Sequence, residues 1–228
     1  MRHMFVTLLM LLSDDPVRGA WKKGMTDELR KKCLSEQFYF WKECRHLITS
    51  LEEVANPQAL CGGREARFNI TMKPYYNPKF KDNFLDLVRN LTGKAGTLVV
   101  VGVGFHMQCE AEKTLNSYLG PAVKHIENFY RHANNSTRWP QIFFVMPMPL
   151  GLLKPPAFLS LQNDVKIKTF AKHVRQFCAL KQIPVFDFRQ LAEHVHSFDG
   201  THYGMSVNLM KNQVLLNFIA SSKLAAWN

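Results

Sequence analysis

Asp199 and His202 stand three positions apart in the run Asp199-Gly200-Thr201-His202. An aspartate at that spacing on one loop can accept a hydrogen bond from the first imidazole nitrogen. That fixes the tautomer and leaves the second nitrogen to take a proton from a nucleophile. Two parts of a hydrolytic triad would then sit within four residues, with Asp199 orienting and His202 acting as base. The nucleophile lies elsewhere. A second candidate feature is Gly102-Val103-Gly104-Phe105-His106, directly after the most apolar run of the chain. Glycines let backbone amides approach a substrate oxyanion, so Gly102 and Gly104 are candidate oxyanion or substrate-binding positions; a plain strand-to-helix turn is the other reading. A third glycine and a following acidic residue are both missing, so this is no dinucleotide fingerprint. Met146-Pro147-Met148-Pro149 is stiff and apolar and reads either as a pocket wall or as a structural turn.

No metal is expected. His194-Val195-His196 has neither a third ligand nor a carboxylate at suitable spacing, and reads as a surface pair. The five cysteines, Cys33, Cys44, Cys61, Cys109 and Cys178, show no C-x-x-C spacing. Their odd count leaves at least one thiol unpaired and the pairing open. His106, His125 and His173 read as structural or solvent-facing.

The elements that must position these residues become regular in the second half of the chain. Arg67–Met72 alternates like a strand, and residues 83–91 carry apolar side chains at helical spacing. Residues 97–101 and 141–145 are continuous apolar runs, as in strands buried on both faces of a parallel sheet. Helices are expected over about 109–132 and 161–180, a short strand over 185–188, and a closing helix over 206–220. Residues 18–66 are harder to read, apart from a helix start at Thr26-Asp27-Glu28 and a turn at Cys61-Gly62-Gly63. Alternating strands and helices imply an α/β fold: three layers, α/β/α, around a parallel sheet. The 228 residues are expected to form a single domain. Ligands of such sheets collect beyond the carboxyl ends of the strands, where the glycine turn and the Asp199 loop both fall.

The formal net charge is +11, from 29 basic and 18 acidic residues. The positives are scattered and no nucleic-acid motif accompanies them, so no nucleic-acid partner is expected; an anionic substrate accounts for the charge equally well. The apolar run Met4–Leu12 is too short to span a bilayer and is followed by no small-residue cleavage site. It reads as a short signal-peptide core or as a buried helix stopped before Pro16. Four glycosylation sequons, at Asn69, Asn90, Asn134 and Asn135, point to the secretory lumen.

The glycine turn after a buried strand and the late Asp-x-x-His loop resemble the SGNH/GDSL hydrolase superfamily. The likeness is greatest to its PC-esterase and CAS1 domain-containing branch, the luminal domains related to sialate O-acetyltransferases. It rests on two stretches, Ser197-Phe198-Asp199-Gly200-Thr201-His202 with the helix through Val214-Leu215-Leu216-Asn217, and Leu98-Val99-Val100-Val101-Gly102. In that family the nucleophile is the serine of a Gly-Asp-Ser block that continues Ser-Arg-x-Arg-x-x-Phe. Met1-Arg2-His3-Met4-Phe5 is similar to that continuation, which implies a serine just upstream of Met1 and a first strand missing from an N-terminally truncated domain. No Gly-Asp-Ser occurs in the chain, and Ser13-Asp14-Asp15 has the wrong order.

The resemblance further implies acetyl-CoA as acyl donor, with no tightly bound cofactor. It implies a sialic-acid-like carbohydrate or glycoconjugate as acceptor, and a Golgi-lumen or secreted location. Membrane attachment would come only through parts outside this chain. The asparagine usual in the family's third block is replaced by Val103-Gly104-Phe105-His106. Three readings stand: a carbohydrate O-acetyltransferase, a carbohydrate esterase of the same fold, and a non-catalytic binding protein on that scaffold.

Overall fold

The computed structural model describes residues 1–56, 61, 69–132, 137–197 and 199–221. They form two compact units: Met1–Pro74 with His196–Asn217, and Tyr75–Val195 with the residues from Phe218 onward. No described helix is long and apolar enough to cross a membrane.

The first unit opens with α1 (Arg2–Leu12), whose Met4, Phe5, Val6, Leu9 and Met10 are all buried. A largely apolar helix must be enclosed by its neighbours, and this one gives Phe5, Val6, Leu9 and Met10 to the first core. It ends where the Ser13 hydroxyl donates to the carbonyls of Leu9 and Met10 at 2.8 and 3.1 Å. Next comes α2 (Asp27–Lys32), capped by the Thr26 side chain, which accepts from Leu29 N at 3.3 Å. Asp27 and Glu28 occupy its first turn and Arg30, Lys31 and Lys32 its last, so both ends complement the helix dipole. Two short helices, α3 (Gln37–Phe40) and α4 (Lys42–His46), bury Phe38, Tyr39 and Cys44. A disulfide joins Cys33 to Cys44. The strand expected over Arg67–Met72 does not form where it can be followed. Arg67 and Phe68 lie outside the described residues, and of the rest only Thr71 pairs, in an isolated antiparallel bridge to Ser50. Pro74, two residues beyond Met72, has no N–H with which to extend a ladder. Gly62 and Gly63 of the expected turn are likewise outside the described residues.

The second unit holds the sheet. Its α5 (Lys81–Leu91) buries Phe84 and Val88 and leads to β1 (Leu98–Val101). The helix expected from Cys109 starts instead at Ala111, because Gln108 and Cys109 have left-handed φ of 59° and 55°. It runs as α6 (Ala111–Thr114), a π-helical turn (Leu115–Leu119) and α7 (Gly120–Phe129). Pro121, without an N–H, explains why the regular ladder breaks there. The following elements are β2 (Gln141–Val145), α8 (Pro156–Leu159) and α9 (Asp164–Leu180). The start of α9 is set by Asn163, whose side chain accepts from Lys166 N at 2.9 Å. β3 is only Val185–Phe186, because Asp187 turns to ion pairs with Arg175 and Arg189 and accepts from Arg189 N at 3.0 Å. Then come α10 (Arg189–Ala192) and α11 (Met205–Ser221).

The strands are parallel, in the order β1-β2-β3, with Val99 opposite Ile142 and Val145 opposite Phe186. Successive residues of β2 point to opposite faces. Phe144 meets Phe170 of α9, ring centroids 6.4 Å apart, while Phe143 meets Phe218 of α11 at 5.3 Å. Helices therefore cover both faces of the sheet. The fold is α/β with a parallel sheet, as its apolar runs and helical periods imply.

Candidate active site

Asp199 and His202 meet as their spacing predicts. Gly200 sits at φ 74°, the left-handed region that a side chain disfavours, and turns the chain back on itself. Asp199 Oδ1 accepts from the backbone N–H of Thr201 at 2.9 Å and of His202 at 2.8 Å. Its Oδ2 lies 2.7 Å from His202 Nδ1. The carboxylate thus organises the loop and orients the ring together. Burial raises the Asp199 pKa, but the hydrogen bonds from the His202 ring and from the His202 and Thr201 backbone outweigh it and hold the carboxyl below its ordinary value. The acid therefore stays ionised at neutral pH, as the partner of an imidazole base must. Nε2 of His202 makes no hydrogen bond among the described residues, and the side chains of His202 and Asp199 are 43% and 52% exposed.

Behind the pair, the start of α11 is fixed by groups far away in sequence. The Glu36 carboxylate accepts from Met205 N at 3.1 and 3.2 Å, at the helix end that favours negative charge. Asn208 Nδ2 donates to the carbonyls of Tyr203 and Gly204, both at 2.8 Å. One turn on, Asn212 Nδ2 donates to Met4 O at 2.8 Å and ties α11 to the beginning of α1. The buried His3 ring therefore lies 5.0 Å from the His202 ring. His3 also meets Tyr39 edge-on at 5.2 Å, and the Tyr39 hydroxyl shares a 2.6 Å hydrogen bond with Thr7. Burial drives the Tyr39 phenol well above its usual pKa against the opposing Thr7 hydrogen bond, so this phenol is a neutral, structural group.

The sequence does not flag Glu36, His3, Tyr39, Asn208 or Asn212 for this site. The one local signal is His3 itself, a polar residue directly before the apolar run Met4–Leu12. Ser13 is unsuited to serve as nucleophile. Its hydroxyl is already engaged at the end of α1, about ten residues and roughly 15 Å along the helix from the turn that meets His202.

Gly102 and Gly104 belong to the second unit, following β1. Gly104 is buried and has a packing reason to be glycine: a Cβ there would stand 2.7 Å from Pro147 Cγ and 3.4 Å from the Phe170 ring. Its carbonyl accepts from Met107 N and Cys109 N at 2.9 and 3.0 Å, which closes a tight turn. Pro147 of the Met146–Pro149 run is thus a packing partner of this turn. His194 and His196 are exposed, and among the described residues no group of three or more His, Cys, Asp or Glu could hold a metal ion. Cys61, Cys109 and Cys178 are outside the disulfide; burial pushes the thiols of Cys109 and Cys178 up to about 11 and makes them poor nucleophiles at neutral pH.

No protein-family model matches the chain. No curated protein matches it either. Among solved structures, the chain is similar to a carbohydrate acetylesterase from Sinorhizobium meliloti, at 15% identity and a TM-score of 0.43 over 69% of this chain and 70% of that one. It is also similar to the native aryl esterase of M. smegmatis, at 14% identity and a TM-score of 0.44 over 63% and 67% of the two chains.

Proposed function

We propose that Asp199 and His202 are the acid–base half of an SGNH-type acyl-transfer site acting on a carbohydrate hydroxyl. The carrying observation is the 2.7 Å contact of Asp199 Oδ2 with His202 Nδ1, which engages that nitrogen and leaves Nε2 to act as base. In this reading Nε2 removes the proton from a serine hydroxyl, and Asp199 offsets the charge of the imidazolium that forms. The serine displaces the donor's thiol, which leaves with the proton held by His202; a sugar hydroxyl, deprotonated by Nε2, then takes the acyl group and the proton returns to the serine. The family resemblance puts that serine on the stretch leading into α1, and the approach of His3 to His202 supports it, because the start of α1 faces the base. Acetyl-CoA is the proposed donor and a sialic-acid-like glycoconjugate the proposed acceptor. Water-driven hydrolysis is the second reading, favoured by the roughly half-exposed side chains of the pair.

The test uses the chain joined to the coding sequence preceding Met1 in its gene. A fluorophosphonate is expected to label one serine in that segment, with labelling lost in His202→Ala. Absence of labelling overturns the acyl-transfer reading and leaves a binding protein. Acetyl-CoA consumption with and without a sialic acid separates transferase from esterase. A secretory-lumen location is proposed with it, supported by the Cys33–Cys44 disulfide and by exposed sequon asparagines at Asn69 and Asn90. Its check is a mass shift on treating the secreted chain with peptide N-glycosidase.

A further inference from the structure

A single hydrogen bond does not fix the plane of an imidazole. Asp199 Oδ2 holds Nδ1 of His202 at 2.7 Å, but the outer torsion of a histidine side chain is broad and soft, so the ring can swing about that contact. The His202 side chain is 43% exposed, and water imposes no orientation on it. The base of an acyl-transfer site needs more, because Nε2 must point at one oxygen to within roughly 10–20°. The further restraint is the His3 ring, packed against that of His202 at a centroid distance of 5.0 Å with 53° between the planes. His3 is buried.

His3 is itself braced. His3 and Thr7 stand one turn apart on the same face of α1, and both meet Tyr39 of α3. The His3 and Tyr39 rings pack edge-on at 5.2 Å, with 80° between their planes, and the Thr7 and Tyr39 hydroxyls lie 2.6 Å apart. Thr7 Oγ1 donates to the His3 carbonyl at 2.6 Å. A threonine has one hydroxyl hydrogen, so the phenol supplies the one between the two hydroxyl oxygens. Burial keeps that phenol protonated and able to give it. Thr7 and Tyr39 are both buried, where water does not compete for these bonds. Tyr39 also lies within the loop closed by the Cys33–Cys44 disulfide, and the same loop supplies Glu36 to Met205 N. One cross-linked loop thus bears on His202 twice, through His3 and through the start of α11. Filling space at position 3 would need only an aliphatic side chain, whereas a flat ring sets the angle of a ring beside it. We infer that His3 is a positioning residue that sets the plane of the His202 ring and with it the direction of Nε2. Its use in catalysis rests on the acyl-transfer reading; the ring geometry does not.

Two variants separate ring shape from bulk: His3→Leu fills the site without a flat ring, and His3→Phe restores one. In the 228-residue chain, the NMR resonances of the His202 ring protons are expected to be displaced from those of a solvent-exposed histidine in wild type and His3→Phe. In His3→Leu they should collapse toward those positions. In the chain extended upstream of Met1, the rate of fluorophosphonate labelling is expected to fall about tenfold or more in His3→Leu and to stay within about threefold of wild type in His3→Phe. Tyr39→Phe, which removes only the hydroxyl of the brace, should lower the rate about two- to threefold. Melting temperatures are measured alongside. Wild-type ring resonances in His3→Leu overturn the inference, as does a labelling loss that follows melting temperature rather than the presence of a flat ring. Labelling of wild type and His3→Leu at equal rates also overturns it, while leaving the acyl-transfer reading intact. If wild type itself is not labelled, the acyl-transfer reading fails, and the comparison of ring resonances alone decides the role of His3.

Discussion

Asp199 does three jobs with two oxygens, and its chemistry follows from that. One oxygen takes two backbone N–H groups and the other takes the imidazole, so the loop conformation and the tautomer of His202 are coupled. Asp199→Asn keeps the size but replaces an acceptor by an amide donor facing Nδ1. The expected outcome is loss of the strongly deshielded Nδ1 proton resonance of His202 in the NMR spectrum; its persistence would refute the orienting role. The stability consequence has a definite sign. Because the folded-state pKa of Asp199 is lowered, its stabilising contribution is complete above the unfolded-state value, about 4, and fades as pH falls through the folded-state value. The melting-temperature gap between wild type and Asp199→Asn is thus expected at pH 6 and should narrow as the pH falls below about 4. A gap that widens in acid contradicts the assignment.

Among the elements, β2 is the one on which the second unit is built. It is the middle strand, and Phe143 and Phe144, both fully buried, send their rings to opposite helical layers. Removing a ring from such a position loses its transfer free energy and leaves a cavity that the sheet cannot collapse to fill. Phe144→Ala is expected to cost about 3–5 kcal/mol in urea denaturation. The exposed Phe129→Ala change at the end of α7, by contrast, should cost well under about 1 kcal/mol. If Phe144→Ala proved as mild as Phe129→Ala, the helix-covered sheet would be wrong.

For the molecule as a whole, the two units gain their stability differently. The second holds the parallel sheet, whereas the first is built of α1 to α4 with most of α11 and carries the disulfide. The Cys33–Cys44 disulfide closes a loop of eleven residues' separation. Cys33→Ser/Cys44→Ser is expected to lower stability by about 2–4 kcal/mol. Reduction of the wild type under native conditions should bring its denaturation midpoint to that of the double variant. Unchanged stability on reduction would exclude the bond from the folded protein.

Local chemistry alone made several features readable. The apolar runs at 97–101 and 141–145 could be little else than buried strands, and Gly200 between an aspartate and a histidine announced a turn that brings the two together. Short-range rules reach that far because a strand's burial and a four-residue turn are settled within a few residues. What surrounds the pair was beyond their reach. Glu36 capping α11, Asn212 holding α1, and His3 packing beside His202 join positions separated by 169, 208 and 199 residues. Likewise nothing in the spacing of five cysteines selects Cys33 with Cys44, and nothing in residues 69–72 shows that, among the described residues, their pairing stops at a single bridge from Thr71 to Ser50. Those outcomes depend on which surfaces find each other when apolar faces are buried, a property of the folded chain rather than of any window of its sequence.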